Sequence, residues 1–204
     1  MQLRYSPTSP YVRKVSITAI EAGLADKIER VSTDPWSPET DLTGANPIGK
    51  VPTLITDDGM AIYDSPVICE YLDSLNNGTK LIPASGDARF KALTLAAAGD
   101  GMLDAGVLLL IETVRRPAEL KWDWWVERQD GVINRCMDVA DAAADTMAAD
   151  GEITIAEIAI GAGLGWIDLR FPDMGWRKER PALADWFDKI SERPSFEQTV
   201  PKPA

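Results

Sequence analysis

The feature that most limits the fold is a change of rhythm at residues 76–87. Before Asn76, short alternating runs take turns with one-faced helical runs; after Asp87 only helical periodicity continues. The stretch between them, N-N-G-T-K-L-I-P-A-S-G-D, is polar and contains Gly and Pro, as a connector does. A chain of 204 residues therefore reads as two domains of different class: a mixed α/β domain over 1–75, a linker over 76–87 and an all-helical domain over 88–204.

The first part has the order β-α-β, loop, β-β-α. Q-L-R-Y alternates as a strand, and Pro10 then opens a helical run through Val12, Val15, Ile17, Ala19 and Ile20 that Gly23 ends. K-I-E-R-V-S at 27–32 alternates again, and D-P-W-S-P-E-T is a loop with room for one helical turn. V-P-T-L-I-T and M-A-I-Y-D are short strands, and Asp57, Asp58 and Gly59 between them carry a tight-turn signal. Ser65 is expected to cap the next helix, with Pro66 in its first turn and Ile68, Cys69 and Leu72 on its buried face.

The second part predicts helices over about 89–115, 122–149, 154–164 and 181–193. T-I-A-E at Thr154 has the spacing of a capping box, in which Glu157 returns a bond to the helix start, with Ile153 and Ile158 as a hydrophobic staple. That is a structural device and no catalytic role is read into it. The W-D-W-W cluster at 122–125 either packs in a core or covers a ligand.

Charge narrows the function. With 21 basic and 32 acidic residues the net charge is −11, which repels phosphate backbones and anionic lipid, so neither nucleic acid nor membrane is expected as a partner. The start lacks the basic and apolar regions of a signal peptide, and the longest unbroken apolar run is Val107 to Ile111, so a cytoplasmic location is expected. The chain has no histidine, which removes the usual general base and the commonest metal ligand. No metal is expected. Cys69 and Cys136 stand apart in helical runs and read as buried thiols.

N-P-I-G-K-V-P-T-L before the hairpin, Y-D-S at the following helix and T-I-A-E in the helical part together resemble the glutathione transferases. The resemblance covers nearly the whole chain and implies a thioredoxin-like βαβ-ββα domain followed by an all-α bundle, in a homodimer. It implies glutathione as co-substrate and a small hydrophobic electrophile as its partner, with the attacking group supplied by glutathione's own thiol.

By that resemblance the Val51–Pro52 bond is cis, and Val51 pairs its backbone with the cysteinyl unit of glutathione as an added strand would. Asp64 meets the γ-glutamyl ammonium and Ser65 the carboxylate, at a helix N-terminus whose free N–H groups favour an anion. The family more often has Glu before this serine. Lys50 either pairs with the glycine carboxylate or is a solvated surface lysine, and the sequence leaves open whether Trp36, in the loop after the second strand, meets the ligand. One of Asp100 and Asp104 is implied to reach glutathione across a dimer interface.

Ser9-Pro10-Tyr11-Val12 stands where glutaredoxin-like relatives carry C-P-Y-C, with both sulfurs replaced. Disulfide exchange from this motif is therefore closed, and Ser9 aligns with the family's catalytic Ser or Cys; Ser6 and Thr8 are the alternative hydroxyls. The electrophile pocket is expected to be lined by Pro10, Tyr11, Met102 and Leu103. A non-catalytic glutathione-binding protein of the same fold is the alternative function.

Overall fold

The computed structural model describes residues 1–201; positions 202–204 of the expected helical domain lie outside the described residues. The chain separates into two compact units, one built from Met1–Ala84 with the segment that starts at Pro194, the other from Ser85–Arg193. The first difference from expectation is that C-terminal segment, which joins the first unit and not the helical one.

In the first unit, strands β1 (Gln2–Tyr5), β2 (Glu29–Ser32), β3 (Thr53–Ile55) and β4 (Ala61–Ile62) form one sheet in the order β2-β1-β3-β4. β1 and β2 are parallel, as the crossover through helix α1 (Pro10–Glu21) requires, whereas β1–β3 and β3–β4 are antiparallel. This is the thioredoxin-like arrangement. The β3–β4 turn works as its sequence predicts: Gly59 has φ 89°, which a side chain would resist, and its N–H donates to Thr56 O at 3.0 Å.

Helices α1 and α2 (Ser65–Leu75) supply the rest of this core. Val15, Ile17, Ile68, Cys69 and Leu72 have no exposed surface, and Leu3 and Leu54 meet them from the sheet. The alternation of β1 and β3 thus places one leucine of each on the covered face. The connector is less independent than a linker: Asp73 accepts the N–H groups of Leu81 and Ile82 at 2.7 and 3.2 Å, and Lys80 Nζ donates to the carbonyls of Asp73 and Asn76 at the end of α2.

The helical unit has α3 (Gly86–Leu110) at its centre, against which α4 (Asp123–Ala143) and α5 (Ile155–Arg170) pack. Together with one wider turn, Ile111–Arg115, α3 makes a stretch long and apolar enough to cross a bilayer (mean hydropathy 1.5); here part of that apolar surface is buried, against α4 and α5. Helix α5 runs six residues past the expected end at Leu164. The glycines at 161, 163 and 165 do not end the helix, and Gly163 serves close packing against Met102. A Cβ on Gly99 of α3 would lie 2.7 Å from the backbone carbon of Ala159, and one on Gly106 would lie 2.7 Å from the Trp166 ring. At Gly99 the two backbones approach because no side chain intervenes, and at Gly106 the Trp166 ring takes the space of a side chain.

Thr154 caps α5 as its sequence requires. Its Oγ1 accepts from Ala156 N at 3.2 Å, and Glu157 accepts from Thr154 N at 2.8 Å. The short helices α6 (Trp176–Glu179), α7 (Pro181–Ser191) and α8 (Pro194–Glu197) complete the chain; α8 belongs to the first unit and lies on α1. There Ser195 Oγ donates to the Glu21 carboxylate, and Phe196 is fully buried.

Candidate active site

Sheet register gathers the sequence-predicted residues of the first unit at one end. β1 ends at Tyr5 where β3 begins at Thr53, because Arg4 pairs with Thr53 and Leu3 with Leu54. On the other side Leu54 pairs with Ile62 and Ile55 with Ala61. Carried past the ladder, the same register sets Asp64 level with Pro52. The chain leaving β1 toward Ser9, the segment entering β3 and the segment leaving β4 toward α2 therefore meet at the same sheet end.

Packing closes the first two of these together. Val12, in the first turn of α1, forms a buried cluster with Leu42 and Val51, with Tyr5 half-buried against it. Ser9 is the N-cap of α1: its backbone is extended (φ −79°, ψ 122°) and its Oγ accepts the N–H of Val12 at 3.3 Å. The first turn of α1 contains no acidic residue. With one lone pair used by Val12, the hydroxyl keeps its proton available, and it finds no acceptor among the described residues.

Val51–Pro52 is cis, as the family resemblance implies. The loop before it is held from inside by Asn46, which sequence reading did not single out. Its Nδ2 donates to Lys50 O at 2.9 Å and to Thr53 Oγ1 at 3.0 Å, and its Oδ1 accepts from Ile48 N at 2.9 Å. Thr53 Oγ1 donates in turn to Lys50 O at 3.1 Å, and Gly49 turns the chain with φ 67°. The signal was present in the spacing of Asn46, Gly49 and Thr53 inside N-P-I-G-K-V-P-T, but an Asn before Pro reads equally well as a simple turn residue. Lys50 itself is exposed.

At α2 the structure corrects the expected cap. Asp64, not Ser65, occupies the N-cap position, and Ser65 and Pro66 are the first helical residues. No side chain caps the helix, Asp64 is exposed and Ser65 is buried. The first N–H groups of a helix have no partner within it, and Pro66 has none, so Ser65 and Val67 carry the donors at this end. Tyr63–Asp64 is a second cis peptide.

The expected electrophile pocket fares differently. Tyr11 is half-exposed, but Pro10 is buried and Met102 and Leu103 have no exposed surface. Met102 Sδ would stand 3.3 Å from a Cβ on Gly163, which makes it a filler of the α3–α5 contact and not a lining group. The indoles of Trp122, Trp124 and Trp125 lie within 6.4 Å of one another, yet Trp122 and Trp124 are 58% and 52% exposed. Trp122 and Trp124 are therefore not core residues, and Trp125 is half-buried. A cavity of about 660 Å³ in the helical unit, lined by Asp130, Asn134, Arg170 and Glu179 among others, contains none of the residues gathered around Ser9.

Comparison with known proteins agrees with this geometry. Residues 8–75 match the glutathione S-transferase N-terminal domain and residues 125–189 the C-terminal domain. The chain is 33% identical to the uncharacterised glutathione-transferase-like protein YibF of Escherichia coli K12, over the full length of both. A glutathione transferase family member from Pseudomonas fluorescens Pf-5, solved with bound glutathione, superposes with a TM-score of 0.94 at 40% identity over 99% of each chain. With S-(propanoic acid)-glutathione bound, the relative from the same organism superposes at 0.90 and 39% identity over the whole of both chains. The chain belongs to the glutathione S-transferase family.

Proposed function

We propose that the protein is a glutathione transferase in which Ser9 donates a hydrogen bond to the thiolate of glutathione and so directs it at a small hydrophobic electrophile. The observation that carries this reading is the N-cap geometry of Ser9: Oγ accepts from Val12 N at 3.3 Å while its proton has no acceptor in the first turn. The glutathione bound to the Pseudomonas fluorescens relative supports the ligand, and the bound S-(propanoic acid)-glutathione supports room for a substituent on its sulfur.

The chemistry needs no histidine. An ordinary thiol titrates near pKa 8.5, leaving a few per cent thiolate at pH 7. A hydrogen bond to the charged form contributes about 1.5 to 3 kcal/mol and a helix N-terminus about 0.3 to 1, and at about 1.36 kcal/mol per unit these lower the pKa by about one to three units. Ser9 retains its proton throughout and only shares it. Attack forms a sulfur–carbon bond to the electrophile and expels its leaving group, or adds across an activated double bond.

The remaining groups hold the tripeptide in this reading. Val51 offers its backbone beside Pro52 to the cysteinyl unit, the N–H groups of Ser65 and Val67 take the γ-glutamyl carboxylate, and Asp64 takes the ammonium. Lys50, exposed next to Val51, faces the glycine carboxylate. Tyr11 contributes to the electrophile side. A cytoplasmic homodimer acting in detoxification belongs to the same proposal, and sedimentation at micromolar concentration tests the dimer.

The deciding experiment titrates glutathione bound to the protein by thiolate absorbance, together with turnover of an aromatic halide. A bound thiol pKa below that of free glutathione, raised in Ser9→Ala, is expected. Binding without turnover of any of a panel of electrophiles would point to the non-catalytic module, and failure to bind glutathione would sink both readings.

A further inference from the structure

Arg13 lies one helical turn after Ser9, and its N–H donates to the Ser9 carbonyl at 3.1 Å. Its side chain is only 6% exposed, stacked over the Phe196 ring at 5.7 Å, and its Nε and Nη1 are buried and meet no acceptor among the described residues. A guanidinium in this state is costly, because burial removes water and no carboxylate replaces it.

The acidic groups on the elements packed around it are engaged elsewhere or exposed. Glu21, further along α1, accepts the Ser195 hydroxyl; Asp73 of α2 accepts the N–H groups of Leu81 and Ile82; Glu70, Glu197 and Asp26 are exposed. Lys14, the next residue on α1, is also buried but has an interaction of its own. Burial alone accounts for the lowering of the Arg13 pKa to about 10, which still leaves it charged at neutral pH.

Residues four apart on a helix have Cβ atoms about 5–6 Å apart, and helical side chains lean toward the N-terminus. Arg13 therefore stands on the same face of α1 as Ser9, one turn behind it, with its guanidinium over the Phe196 ring. We infer that Arg13 is a positioning residue of the thiolate site: its unpaired buried charge raises the local potential at Ser9 and favours the anionic form of a bound thiol without touching the sulfur. The inference rests on the proposed thiolate site. It assigns the thiolate's stability to two sources, one hydroxyl in contact and one cation a turn behind it.

The test is the thiol titration of bound glutathione in wild type, Arg13→Met, Arg13→Lys and Ser9→Ala, with thermal melts of each. Arg13→Met is expected to raise the bound thiol pKa by about one unit, a tenfold loss of thiolate below that pKa, and Arg13→Lys to recover at least half of the shift. Met fills the volume of the Arg stem and removes an uncompensated charge, so this variant should melt no lower than wild type. An Arg13→Met protein with an unmoved thiol pKa overturns the inference. So does one that fails to fold or melts several degrees lower, since the side chain would then be structural. If Arg13→Met moves the pKa and Ser9→Ala does not, the cation stands and the hydroxyl reading fails; the converse leaves Ser9 and removes Arg13. A wild-type bound thiol that titrates like free glutathione overturns both.

Discussion

Two helix starts among the described residues use a hydroxyl, and they use it in opposite ways. At α5, Thr154 Oγ1 accepts one backbone N–H and gives its proton to Glu157 at 2.6 Å, while the same carboxylate takes the Thr154 N–H. At α1, Ser9 accepts the N–H of Val12, but Val12 stands where Glu157 stands in α5, and it has no carboxylate to take the proton. Both hydroxyls belong to half-buried residues. The difference teaches that a cap is a candidate for chemistry when its helix leaves its hydrogen unused: Thr154 is spent on folding, and Ser9 is spent only in part.

The contrast breaks most sharply if the two hydroxyls are removed in turn. Ser9→Ala should raise the pKa of bound glutathione by about one to two units, a ten- to hundredfold loss of thiolate below that pKa. Its melting temperature should fall little, because the Ser9–Val12 bond is long at 3.3 Å. Titration of the bound thiol beside a thermal melt reads both quantities. A large loss of stability with no change in titration would make Ser9 a second Thr154.

The reciprocal variant is smaller in effect and opposite in kind. Glu157→Ala removes the acceptor for the Thr154 N–H and hydroxyl and for Ala148 N, all engaged at the start of α5. Losing a cap of this sort costs about 1 to 2 kcal/mol, so urea unfolding should shift its midpoint downward while the thiol titration of bound glutathione stays where it was. A shift in titration would tie the α5 start to the site and dissolve the contrast.

How much of this could be read from residues alone depended on how local the governing interaction is. The capping box at Thr154 and the turn at Asp57 to Gly59 lie within a few residues, and both form as their sequence signals require. The end of α5 differs from its sequence signal because glycine is both a helix breaker and a close-packing residue, and only Met102 packed against Gly163 shows which. Periodicity likewise placed Met102 and Leu103 on an apolar face without saying that both are fully buried, Met102 against Gly163 of α5. Within the site, Ser9 was legible from its place before Pro10. Asn46 and Arg13 were not: an Asn before Pro reads equally well as a simple turn residue, and the Phe196 ring beneath Arg13 belongs to a distant segment.

A third helix start sharpens the comparison further, because its acceptor comes from another element. Trp122 is the N-cap residue of α4, with no side-chain bond of its own, and its N–H donates to Glu112 Oε1 at 2.9 Å; Arg116 Nε donates to Oε2 at 2.8 Å. The Trp122 N–H, with help from Arg116, holds the Glu112 carboxyl below the usual carboxylate range. A depressed carboxyl contributes stability above its unfolded value, near 4.3 for Glu, and loses it as pH falls through the lower folded value. The indoles stacked at 122–125 should therefore report a transition at a pH below about 4.3 in their fluorescence. Glu112→Gln keeps an acceptor but cannot titrate, so that local transition should disappear while the thiol titration is untouched. If the fluorescence change persists in Glu112→Gln, the start of α4 is held by something other than this carboxylate.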